Sequence, residues 1–160
     1  MKELNPVNVR CRKDALKYLR FKDMLESIPP EEIKQYQVDT IKAFSYILVH
    51  VEYVDYEPYH DLEDLRNMVK ATKMLLVSDL NNNSKLLPGV FNLQFRAFHD
   101  YLHYVQATTF TYKGELETYE LKSKYYSSTI GKRMLYSEVV LQAAYKEYFG
   151  EFSKEQKIVI

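Results

Sequence analysis

The segment FNLQFRAFHDYLHYVQ, residues 91–106, carries two histidines four positions apart. On a helix turning about 100° per residue, His99 and His103 project the same way, one turn apart. That spacing lets a helix offer two imidazoles to one metal ion. Beside the apolar arc of Phe91, Phe95, Phe98, Leu102 and Val105 runs a polar seam of Asn92, Arg96, His99, His103 and Gln106. The seam therefore follows the edge of the buried face. The plainer account of the pair is two edge histidines hydrogen-bonded to their neighbours. Asp100 points about 100° away from His99, so on an ideal helix it suits orienting a histidine better than ligating. Arg96, one turn before His99, could hold an anionic group such as a carboxylate or phosphate.

Carboxylates strengthen the case for a metal. Glu115, Glu117 and Glu120 follow Gly114 in KGELETYE. Glu117 and Glu120 fit a solvated acidic first turn. Glu115 is better placed, because the connection should fold its helix back against the histidines. Glu138 lies among Met134, Leu135, Leu141, Tyr145 and Phe149 in helical projection, and a carboxylate on such a face must be paired, protonated or metal-bound. A pair with Arg96, Lys132 or a tyrosine hydroxyl would be its structural role. The functional reading takes His99, His103 and Glu115 as ligands, with Glu138 as fourth ligand or general base. Two imidazoles with one or two carboxylates suit zinc, iron or manganese and leave room for water or substrate. Water activated by the metal would be the chemistry.

The arrangement resembles the metal motif of the coenzyme Q biosynthesis protein 4 family, His-Asp-x-x-His, eleven residues, then Glu. Here His99-Asp100-Tyr101-Leu102-His103 is followed by Tyr104 to Gly114 and then Glu115. The resemblance implies an all-helical protein with a zinc-type site of His99, Asp100, His103 and Glu115. It implies nothing for residues 1–85, and only the metal site is carried over, not the family's quinone-precursor substrate. The second half, from FRAFHDYLHY through GELETYE to SEVVLQAAYKEYFGEF, is also similar to uncharacterised small proteins of tailed-phage genomes. That similarity implies work in an infected bacterial cytoplasm or a place in a virion.

Rival constellations are weaker. His60-Asp61 and His99-Asp100 have the form of a His-Asp phosphohydrolase dyad, but no aspartate follows Asp100. A di-iron pair of Glu57/His60 with Asp100/His103 meets Pro58, which breaks a regular helix. His50 reads as a packing residue and Cys11 as part of a solvated basic turn.

These side chains need helices to position them. The 160 residues contain four glycines, none before Gly89, which disfavours a turn-rich β fold. Helices are expected over 9–27, from Pro30 through an apolar face of Ile33, Tyr36, Thr40, Phe44, Ile47 and Val51, and over 60–80, 91–108, 113–127 and 130–149. A short strand within 46–56 is the alternative there, because that stretch also alternates. Asn81-Asn82-Asn83-Ser84 reads as a loop, and Ile158-Val159-Ile160 as a docked tail. The expectation is an all-α bundle of about six helices in one domain, 1–160, with the site in 91–149.

Twenty-two basic and 22 acidic residues give zero net charge, which argues against nucleic-acid binding through bulk charge. One cysteine excludes an intrachain disulfide framework and fits a reducing cytoplasm. No apolar run reaches the roughly 20 residues of a membrane helix, and the amino terminus lacks a signal-peptide stretch. The resulting expectation is a metal-dependent lyase or hydrolase acting on a small molecule, zinc being the foremost metal. Its rival is a phage-encoded inhibitor, interaction or virion protein in which the same cluster is structural.

Overall fold

Six helices and one short pair of strands make up the computed structural model, which describes residues 5–78, 80 and 84–160. Helix α1, Pro6–Arg20, starts where the Asn5 side chain accepts from the Val7 amide and Pro6 takes the first turn. Its buried side holds Cys11, Ala15 and Tyr18. A 3-10 turn, Leu25–Ser27, leads to Pro29 and into α2, Pro30–Phe44, with Glu31 and Glu32 at its positive end.

The chain departs from a purely helical plan after Phe44. Strand β1, His50–Tyr53, lies parallel to β2, Met74–Val77, with His50 opposite Met74 and Tyr53 opposite Val77. Helix α3, Leu62–Thr72, makes the crossover, capped by Asp61, whose side chain accepts from the Asp64 amide. The second helix thus stops earlier than its periodicity predicts, and the strand alternative is the one realised. The third is also shorter than 60–80. Lys73 turns left-handed (φ 60°), and Met74-Leu75-Leu76-Val77 alternates half-buried with buried positions instead of continuing the stripe. The loop expected at Asn81-Asn82-Asn83 lies outside the described residues.

Helices α4, Val90–Gln106, and α5, Tyr112–Lys122, are joined by a short turn and pack against each other. The last helix, α6, runs Thr129–Tyr136, widens to a π-turn at Ser137–Leu141 and resumes over Gln142–Phe149. Its first part faces α2 and its last part packs along α1. The main core gathers Ala15, Tyr36, Leu86, Phe95, Tyr112, Met134, Leu135 and Val140. A second core under the strands joins Leu65, Val69, Leu75 and Val77 to Tyr59 and Ala97. Fully buried aliphatic or aromatic side chains of this kind each contribute about 1.5–3 kcal/mol.

The carboxy-terminal segment docks as expected. Ile158 and Val159 are buried, Ile158 N donates to Asp23 Oδ1 at 2.9 Å, and Val159 N donates to Ser137 Oγ at 2.9 Å.

Candidate metal centre

Specific contacts hold the short α4–α5 turn. Ala107 ends α4 in the left-handed region, φ 54°. Thr111 caps α5 by accepting from the Gly114 amide. Gly114 then lies directly against the Thr109 carbonyl, where any side chain would collide. The close approach swings α5 back so that Glu115 faces the histidine helix.

The three ligand atoms expected from the sequence converge. Glu115 Oε2 is 2.8 Å from His99 Nε2, Glu115 Oε1 is 2.9 Å from His103 Nε2, and the two Nε2 atoms are 3.1 Å apart. Metal–nitrogen bonds of about 2.0–2.1 Å put the corners of a tetrahedral site roughly 3.3 Å apart. The observed spacings lie slightly inside that edge, so His99, His103 and Glu115 form a group that could hold a metal ion.

The tautomer of His103 follows from its neighbours. Thr118 Oγ1 donates to the Gly114 carbonyl at 2.9 Å, so the 2.7 Å contact between Thr108 Oγ1 and Thr118 Oγ1 uses the Thr108 proton. Both Thr108 oxygens, the carbonyl at 2.8 Å and Oγ1 at 2.9 Å, are therefore acceptors for His103 Nδ1. That nitrogen must carry hydrogen. In the neutral ring Nε2 then presents a lone pair to a carboxylate oxygen and to a second imidazole. Only a positive charge between them, a proton or a metal ion, makes such an approach favourable.

Electrostatics express the same demand. Burial pushes the His99 imidazole down to about 4. Burial also opposes charge on His103, but Glu115 outweighs it and the net shift is upward. Glu115 would be raised by burial, yet the two imidazoles hold it well below the usual carboxylate range.

The remaining sequence candidates surround this group without joining it. Asp100 is buried and accepts a hydrogen bond from the Tyr59 hydroxyl, so it stands outside the three-ligand set. Glu138, in the π-turn, accepts from Tyr36 Oη at 3.0 Å and Ser84 Oγ at 2.5 Å, and burial raises its pKa. The pairing with a tyrosine is one of the structural roles open to it. Glu138, Arg96, Asp100, His99 and Glu115 all line one cavity of about 600 Å³.

No protein-family model, curated protein or solved structure matches this chain.

Several residues of the sequence reading turn out otherwise. His50 is exposed beside Glu52 rather than packed, because it sits on an edge strand. Cys11 is buried in α1, not in a solvated turn, and burial pushes its thiol up to about 12, so the neighbouring basic residues do not activate it. Asp61 is engaged as a helix cap, and Glu57 and His60 are exposed, which leaves the rival dyad and di-iron readings without an assembled site. Glu117 and Glu120 are exposed, as expected of a solvated acidic face.

One residue escaped the sequence entirely. Lys122 is fully buried, with Nζ 3.3 Å from the centre of the Phe95 ring, and burial lowers its pKa to about 7. A signal existed, since Glu115, Thr118 and Lys122 recur at helical spacing on the inner face of α5.

Proposed function

We propose that this chain is a metal-binding protein with one divalent cation, zinc foremost, held by His99, His103 and Glu115, and that it works as a metal-dependent lyase or hydrolase. The observation that carries the reading is the lone pair of His103 Nε2, fixed by Thr108, facing a carboxylate at 2.9 Å and a second imidazole at 3.1 Å. Three protein ligands would leave a divalent ion an open position for water or substrate. A divalent cation there would supply Lewis acidity near neutral pH. The cavity beside the ligands favours an enzyme over a closed structural site.

The chain's own residues divide the remaining work. Thr108 orients His103, and the Glu138 carboxyl, held by Tyr36 and Ser84 at the cavity wall, is placed to take or give a proton. The likeness of this motif to that of the coenzyme Q biosynthesis protein 4 family is in keeping with the ligand set, apart from Asp100, whose carboxylate is engaged by Tyr59.

Elemental mass spectrometry of tag-free protein tests the reading. Near-stoichiometric metal in the wild type, lost in His103→Ala, is the expected result. Wild-type protein that holds no metal and takes none up on reconstitution would overturn it.

A further inference from the structure

The cavity beside the three ligands has an unbalanced set of polar groups. Its carboxylates already have donors. Glu115 has the two imidazoles, Asp100 has Tyr59, Glu138 has Tyr36 and Ser84, and Glu147 has the Tyr112 amide. Glu57, the remaining one, is exposed to solvent. The unmet groups are nitrogens, the Arg96 Nε–H donor and a His99 Nδ1 that becomes a donor only when a metal takes Nε2. Among the described residues, neither Arg96 Nε nor His99 Nδ1, both buried, has a hydrogen-bond partner. The two residues are one turn apart on α4, and both line this cavity. A buried N–H without an acceptor costs about 1–3 kcal/mol, so the Arg96 Nε–H, with a second N–H beside it once a metal is seated, marks a place where an acceptor belongs.

The histidine proton depends on the metal reading, on which this inference rests in part. Ligation through Nε2 would leave the hydrogen on Nδ1, and among the described residues none accepts from it. A seated divalent cation also adds two positive charges beside Arg96, and Glu115 offsets only one of them. Five carboxylates line the cavity against Arg96 and Lys146, so the directed donors on this wall, not net charge, are what point to an anion.

From this we infer that the cavity binds a small molecule through an oxyanion group, a carboxylate or phosphate, seated on Arg96 Nε–H and His99 Nδ1–H beside the metal ligands. Arg96 is then a substrate-positioning residue, and the rest of the ligand occupies the cavity of about 600 Å³.

The test uses inorganic phosphate and acetate as probes on full-length protein, both metal-free and zinc-reconstituted. The ¹⁵N–¹H resonance of Arg96 Nε should shift on titration with at least one of the two, and the preferred anion identifies the group. Arg96→Lys, which keeps the charge but loses the planar fork, should weaken that binding at least tenfold with unchanged metal content and melting temperature. A wild-type Nε resonance that moves with neither anion would overturn the inference, and this readout needs no variant to fold. Equal anion binding by Arg96→Lys would overturn it too. Failure of the metal reading would show separately, as absent metal with an anion-dependent Arg96 signal still present in the metal-free sample.

Discussion

Gly114 and Thr109 approach so closely that a β-carbon on the glycine would stand 1.9 Å from the Thr109 carbonyl oxygen. That contact, not a special backbone angle, sets how far α5 folds back on α4 and so how near Glu115 comes to the histidines. Gly114→Ala should therefore push the helices apart. The expected outcome is a metal affinity at least tenfold weaker and a loss of about 1–3 kcal/mol in stability, from overpacking against rigid backbone. Competition with a chelator and a urea melt would measure the two. An alanine variant that binds metal like wild type would show that the glycine does not set the position of Glu115.

The carboxylates around the cavity should separate by role. Glu138→Gln and Asp100→Asn are expected to keep metal within a few fold of wild type, because both side chains take their hydrogen bonds from hydroxyls outside the three-ligand set. Glu115→Gln should lose it by 100-fold or more. Elemental analysis after dialysis against a weak chelator distinguishes them. Loss of metal in Asp100→Asn would restore the four-residue ligand set that the motif resemblance implies.

Lys122 should make stability depend on pH in a defined direction. Its folded pKa is about 7, below the ordinary 10.5, so below pH 7 the folded chain carries the full cost of a buried ammonium. Between about pH 7 and 10.5 the unfolded chain binds more protons than the folded one, and stability rises with pH. Lys122→Met should be the more stable protein at pH 6, by about 1–4 kcal/mol, with the gap closing by pH 10. Paired denaturant melts of variant and wild type cancel the tyrosine titrations common to both. A gap that is constant with pH, or of the opposite sign, would refute the assignment.

What the sequence disclosed depended on how local the signal was. His99, His103 and Glu115 were legible because a helical repeat and a short turn fix them within a span of 17 residues. The first strand was legible only as an alternative to the helix, since four residues is too short for alternation to outweigh the helical stripe around Phe44, Ile47 and Val51, and the second was not legible at all. Their pairing joins positions 24 residues apart, as between His50 and Met74. Lys122 looked like an ordinary basic residue in a last helical turn, where lysine usually faces water and complements the dipole. Glu138 was singled out correctly as a carboxylate needing partners, but Ser84 comes from a distant part of the chain that periodicity does not reach. The even projection of 130–149 also missed the π-turn, whose extra residue slips the phase of everything after Leu141 and leaves Phe149 at the surface.

The docked tail ties mechanics to chemistry. Val159 hangs its amide on Ser137, the residue next to Glu138, while Ile158 is strapped to Asp23 and Met24 in the connection that follows α1. A pull on residues 157–160 would be transmitted into the π-turn, toward the carboxylate at the cavity wall. The last few residues act as a guy-rope on that carboxylate, so loosening them should detune Glu138 without touching any ligand.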